Sequence, residues 1–161
     1  MVTEQEIWNL LEGVFDPEVP VLTVVDLGVV RSVSVKNNSI HIIITPTYSG
    51  CPAMKVIEED ILSLLKEHGH ENVSIELVLA PAWTTDWISE KGRKNLKEYG
   101  IAPPADEVDK SVLFAEPPVI QCPICDSKNT KMVSQFGSTA CKAHYQCKDC
   151  LEPFDYFKCL K

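Results

Sequence analysis

Four of the chain's seven cysteines fall into two pairs, Cys122-Pro-Ile-Cys125 and Cys147-Lys-Asp-Cys150, separated by 21 residues. Two thiolates on a tight knuckle supply two corners of a tetrahedron, and a second knuckle completes it around a structural zinc ion. A rubredoxin-like iron site is the alternative occupant. Four thiolates leave no open coordination position for water, which argues against zinc hydrolysis. Cys141, His144 and Cys159 lie in the same stretch, and any of them could replace one ligand. Six cysteines between positions 122 and 159, in a chain whose start shows no export signal, point to metal ligation rather than a disulfide framework.

Cys51 stands apart from this cluster, directly before Pro52 and an amphipathic stretch. A lone thiol is often a small buried hydrophobe. At a helix start, however, free amides and the helix dipole stabilise the thiolate that binds iron or attacks disulfides. Asp26 is the second candidate: it lies in an irregular D-L-G loop, where its carboxylate could ligate iron or close an Asx-type turn. Asp16 and Glu18 are expected to fix the preceding loop, and Thr45 or Thr47 to cap the helix after Cys51. His41 reads as a mid-strand residue, His68 and His70 as helix-end residues. Trp83 and Trp87, four apart, read as core or subunit contact on one helical face.

These residues must be positioned by a small globular body. With 161 residues and 45% hydrophobic content, the chain can build one ordinary core and an appendage. Residues 1–119 carry 9 basic and 19 acidic side chains, and residues 120–161 carry 6 and 4. The main body therefore repels phosphate backbones, and the tail lacks the basic stripe of a nucleic-acid footprint. Tyr145, Phe154, Tyr156 and Phe157 accordingly read as ribbon core rather than as base-stacking platforms. No apolar run approaches the roughly 20 residues that cross a bilayer, and MVTEQEIWNLLEG lacks the basic segment followed by an apolar one expected of an export signal. The expectation is a cytoplasmic protein.

Ile7, Leu10, Leu11 and Val14 recur at helical spacing behind a Thr3/Glu6 capping box, which predicts a helix ending at Gly13. Val29–Lys36 and Ile40–Thr45 flank an Asn-Asn turn and predict a hairpin. Met54, Ile57, Ile61, Leu62, Leu64 and Leu65 mark a second, amphipathic helix, stopped near Gly69 and followed by a strand over Asn72–Leu79. A helix of that length permits a right-handed crossover and parallel pairing. A further helical segment is expected from Thr85 to Tyr99. The fold class is α+β: a small mixed sheet with flanking helices over residues 1–100, a proline-rich linker over 101–120, and a zinc ribbon over 121–161. About forty residues bury too little apolar area to fold alone, so coordination would supply roughly 10 kcal/mol or more. The open edges of the small sheet are compatible with a homodimer.

The pattern D-P-E-x-P-x-x-x-x-x-D-L-G from Asp16 to Gly28, with T-x-x-x-x-x-C-P from Thr45 to Pro52, resembles the MIP18 family, also called DUF59. W-x-x-x-W-I-S-x-x-G-R from Trp83, Y-G-I-A-P-P from Tyr99 and the ending F-G-S-T-A-C-K-A…E-P-F-D-Y-F-K-C resemble its PaaD branch. The resemblance implies an accessory role in phenylacetate breakdown, assisting iron–sulfur cluster assembly or maturation of the phenylacetyl-CoA epoxidase complex. It implies structural zinc, a transient iron–sulfur cluster at Cys51 and Asp26, and a client among the epoxidase reductase or oxygenase subunits. A structural, non-catalytic subunit of the oxygenase assembly is the alternative. The sequence has a single E-x-x-H spacing, Glu67 to His70, where a di-iron carboxylate site needs two, and no Rossmann glycine fingerprint or plant-type ferredoxin spacing, which sets it apart from the oxygenase and reductase themselves. A thiol enzyme is disfavoured because no histidine shares the Cys51 loop to act as its base.

Overall fold

A computed structural model describes residues 1–48, 50–104 and 119–158. The chain divides into two compact units, Met1–Gly92 and Arg93–Lys161. Among the described residues no helix is long and apolar enough to cross a membrane.

The first unit begins with α1, Glu4–Leu11. The Thr3 hydroxyl accepts the Glu6 amide at 3.3 Å and the Glu6 carboxylate accepts the Thr3 amide at 2.7 Å, so the expected capping box forms. Strand β1, Val30–Lys36, turns through Asn37 and Asn38, at φ 50° and 61°, into β2, Ser39–Ile44. Two successive left-handed residues match the twist of a two-residue hairpin, and asparagine tolerates that conformation. Helix α2, Ala53–Glu67, ends before Gly69 at φ 85°. Strand β3, Val73–Leu77, then pairs with β2 in parallel, giving the order β1-β2-β3.

Ile40, Ile42 and Ile44 of β2 are buried, as are Ile7 and Leu11 of α1 and Ile57, Ile61 and Leu65 of α2. Strand period two and helical period 3.6 thus converge on one core, each such side chain contributing about 1.5–3 kcal/mol. Helix α1 packs on β1 and on α2, and α2 packs on β3.

The segment expected to be one helix from Thr85 to Tyr99 is broken. A 3-10 turn spans Thr85–Trp87, Ile88 is extended at φ −69° and ψ 128°, and α3 runs from Glu90 to Tyr99. Trp83 therefore precedes the turn and shares no helical face with Trp87. The break has a local cause: the Ser89 hydroxyl accepts the Gly92 amide at 2.9 Å and starts a new helix.

The second unit holds a four-stranded sheet of order β4-β7-β6-β5. Its strands are β4 (Ile101–Ala102), β5 (Thr130–Ser134), β6 (Lys142–Cys147) and β7 (Pro153–Phe157). Ile101 and Ala102, expected at the start of the linker, instead pair in parallel with Asp155 and Tyr156 of β7. Residues 105–118 of that expected linker lie outside the described residues. Tyr145 stacks on Phe154 at 5.8 Å and meets Tyr156 edge-on at 5.7 Å. Together with Phe157 these aromatic rings are buried, as a ribbon core requires.

Candidate metal centre and thiol loop

The first cysteine knuckle begins at Cys122, whose carbonyl accepts the Asp126 amide at 3.0 Å. Asp126 turns back at φ 62°. The second knuckle follows β6: the Cys150 amide points at Cys147 Sγ from 3.5 Å, and Leu151 turns at φ 66° into β7. The two loops bring Cys122, Cys125, Cys147 and Cys150 together, with all four Sγ atoms within 4.8 Å of one another. Cys125 Sγ lies 3.5 Å from Cys147 Sγ, and Cys122 Sγ lies 3.8 Å from Cys150 Sγ. Zinc–sulfur bonds of about 2.3 Å in a tetrahedron require sulfurs roughly 3.8 Å apart, so the donor set fits a single metal ion.

Electrostatics agree with that fit. Thiols this close cannot ionise independently. The amides of Cys150 and Asp149 lower Cys147 to about 7. Cys150 is pulled down by the Glu152 amide, yet burial and the adjoining thiols push it up to about 12. A bound cation removes the conflict by stabilising every thiolate at once. Asp149 braces the two loops: its carboxylate accepts the Ser127 hydroxyl and, at 2.9 Å, the Asn129 side-chain amide, and both donors hold it below the usual carboxylate range. Sequence reading missed this brace, because its signal is spread over two loops 20 residues apart.

Of the other candidate ligands, Cys141 is buried with Sγ 3.0 Å from the Thr139 hydroxyl, and His144 Nδ1 stands 3.5 Å from the Asp155 carboxylate. Neither joins the four-sulfur group among the described residues. Cys159 lies outside them.

In the first unit, Cys51 is half-buried at the start of α2. The expected low thiol pKa does not hold. Burial pushes the Cys51 thiol up, and the charges of Glu18 and Asp16 act in the same direction against the Ala53 amide and Tyr48 hydroxyl, which pull it down. Tyr48 in turn donates to Glu18 Oε1 at 3.4 Å. Neither Thr45 nor Thr47 caps α2: its N-cap is Pro52, with no side-chain bond. The Thr45 hydroxyl is instead buried without a hydrogen-bond partner among the described residues. Asp16 does fix its loop, accepting the Glu18 and Val19 amides at 2.7 and 3.0 Å.

Asp26 is buried, and its partners come from the segment around Trp87. Its Oδ1 accepts the Ser89 hydroxyl at 2.8 Å, and its carbonyl accepts the Ser89 amide at 2.8 Å. Oδ2 is buried with no hydrogen-bond partner among the described residues, the Lys91 ammonium standing 4.0 Å away. Trp83 donates its indole N–H to the Leu27 carbonyl at 2.9 Å. The Arg31 guanidinium lies 3.5 Å over the Trp87 ring. The D-L-G turn is therefore clamped by the later tryptophan segment. The I-S-x-x-G spacing announces a helix start, but nothing local in the sequence tells which loop it holds.

Residues 4–77 match a family model described as an iron–sulfur cluster assembly protein, and residues 106–158 match the PaaD zinc beta ribbon domain. A protein of Escherichia coli (strain K12), named as a 1,2-phenylacetyl-CoA epoxidase component, is 50% identical over 155 residues, covering 96% of this chain and 92% of that protein. An Fe-S protein maturation auxiliary factor of Porphyromonas gingivalis (strain ATCC BAA-308 / W83) is 35% identical over 96 residues, 58% of this chain and 90% of its relative. Among solved structures, a DUF59 domain of unknown function from Bacillus anthracis matches with TM-score 0.55 and 30% identity, covering 58% of this chain and 90% of that one. With its first unit built on that plan and its second carrying four convergent thiols, the chain belongs to the MIP18 (DUF59) family, in the PaaD branch.

Proposed function

We propose that this protein is a non-catalytic accessory factor that assists iron–sulfur cluster assembly or maturation of a phenylacetyl-CoA epoxidase complex. The observation that carries the reading is the pairing, in one chain, of an assembly-type unit over residues 4–77 with a PaaD ribbon. The 50% identical relative is named for the epoxidase and the shorter relative for Fe-S protein maturation.

Iron, or a cluster, is cargo in this reading. Cys51 supplies one sulfur at the rim of its loop, and its proton must leave as metal arrives, because the thiolate is the ligand. Asp26 is the companion site, its buried Oδ2 lacking a donor. The ribbon holds zinc through Cys122, Cys125, Cys147 and Cys150, a resident ion that stabilises the fold of the second unit and exposes no position for chemistry. The client is the reductase or an oxygenase subunit of the epoxidase.

The test is elemental analysis for zinc, iron and acid-labile sulfide on anaerobically purified protein beside Cys51→Ala. One zinc per chain in both samples, with sulfide-bearing iron only in the parent, is expected. Iron retained in Cys51→Ala, or a client with a full iron–sulfur complement in cells lacking the protein, would sink the proposal. The relative's name as an epoxidase component favours a second reading, a structural member of the oxygenase assembly. Co-purification at fixed stoichiometry with no effect on client iron would select it.

A further inference from the structure

We propose that the ribbon's metal centre is a peroxide-sensitive site in which Cys125 is the thiolate oxidised first and Cys147 its disulfide partner. The proposal depends on zinc occupying the four thiols and is independent of any role for Cys51.

The four ligands are unequally protected. Cys122 and Cys147 are 0% exposed and form part of the ribbon core, Cys150 is partly buried, and Cys125 is exposed. Its neighbour Ile124 is itself 54% exposed, so the first knuckle lies at the surface and Cys125 is the most accessible of the four ligand residues. A zinc-bound thiolate keeps nucleophilic character, and which thiolate reacts follows access. The partner follows from geometry: Cys125 Sγ has its close sulfur contact with Cys147 Sγ, at 3.5 Å, while Cys122 and Cys150 contact each other at 3.8 Å. Closing to about 2.05 Å for a disulfide requires a displacement of roughly 1.5 Å. The knuckle bearing Cys125 lies at the surface, where such a shift displaces little packed structure.

The chemistry balances with hydrogen peroxide as the two-electron oxidant. Cys125 sulfur attacks one peroxide oxygen, the O–O bond breaks, and the departing hydroxide takes a proton to become water, leaving a sulfenic acid. Cys147 thiolate then attacks that sulfur, the S–S bond forms, the S–O bond breaks, and the departing hydroxide takes a second proton from solvent to leave as water. Two sulfurs are oxidised and one peroxide is reduced to two waters. Zinc, left with two thiolates, dissociates as Cys122 and Cys150 take up protons. The second unit then loses the coordination that holds its two loops together.

The test uses the full chain with its zinc content first measured as one per chain, so that a failure of the metal assignment is seen before peroxide is added. Hydrogen peroxide is titrated while zinc release is followed with a chromogenic chelator and disulfides are mapped by peptide mass spectrometry. Expected are one zinc released per peroxide consumed at the ribbon, a loss of two hydrogens, and a Cys125–Cys147 cross-link, with release unchanged in Cys51→Ala. Because Cys125→Ser can fail to bind zinc, substoichiometric iodoacetamide on the zinc-loaded parent supplies a second measurement, in which Cys125 is the first ribbon cysteine alkylated. Zinc retained at about tenfold excess peroxide, a cross-link between any other pair, or first alkylation at Cys122, Cys147 or Cys150 would overturn the proposal.

Discussion

Gly28 shows how tightly single positions are set. It adopts φ 78°, and a Cβ there would stand 2.6 Å from the Trp87 carbonyl oxygen and 2.7 Å from the Trp87 Cβ. Gly28→Ala therefore meets both backbone strain and overpacking, and a loss of about 2–4 kcal/mol is expected, read as a lowered urea midpoint. Cys51 carries a different constraint. Its raised pKa means that the folded state holds the thiol proton more tightly than the unfolded chain does. That stabilising contribution is complete below the ordinary value of 9.0 and is lost as pH rises through the higher folded value. Metal-free protein should accordingly alkylate at Cys51 more slowly at pH 7 than a small free thiol. Glu18→Gln removes a charge that pushes the thiol up, so alkylation at pH 7 should quicken. An unchanged rate would remove Glu18 from the account of this thiol.

At the scale of elements, α3 depends on a residue that also serves the D-L-G turn. Ser89 caps the helix through Gly92 and donates to Asp26 from the same hydroxyl. Ser89→Ala breaks both bonds, and a cost of about 1–3 kcal/mol is expected by chemical denaturation, while Ser89→Thr retains most of it. What the sequence disclosed and what it withheld divide along the same line. The capping box at Thr3, the Asn37-Asn38 hairpin and the two knuckles depend on residues a few places apart, and all form as read. The parallel placement of β3 followed from the length of α2. The strand at Ile101 and Ala102 and the Ser89–Asp26 bond across 63 residues depend on partners distant in sequence, which periodicity cannot report, whereas the break at Ile88 has the local Ser89–Gly92 cap that a count of helical spacing passes over. The thiolate stabilisation expected at Cys51 follows the same line: the helix start was visible locally, whereas the burial that chiefly pushes the thiol up, and the charge of Glu18 33 positions earlier, were not.

For the molecule as a whole, the two units rest on different sources of stability. The first buries an aliphatic core from α1, α2 and β2, and the second a small aromatic one beside four thiols. A strong chelator should abolish the β-sheet signals of the second unit while leaving amide protection in β1, β2 and β3, as monitored by NMR hydrogen exchange. Loss of both sets together would show that the first core needs the metal. The strand order also sets a schedule for biosynthesis. Strand β7 lies between β4 and β6 although it is the last of the three to be made, so the ribbon sheet cannot close until residue 157 has cleared the ribosome. At about 5–20 residues per second, the 25 steps from Cys125 to Cys150 separate completion of the first thiol pair from completion of the second by roughly 1–5 s. Until that second pair is made, Cys122 and Cys125 supply only half of the four-sulfur site, and the ribbon has no complete metal cage around which to fold.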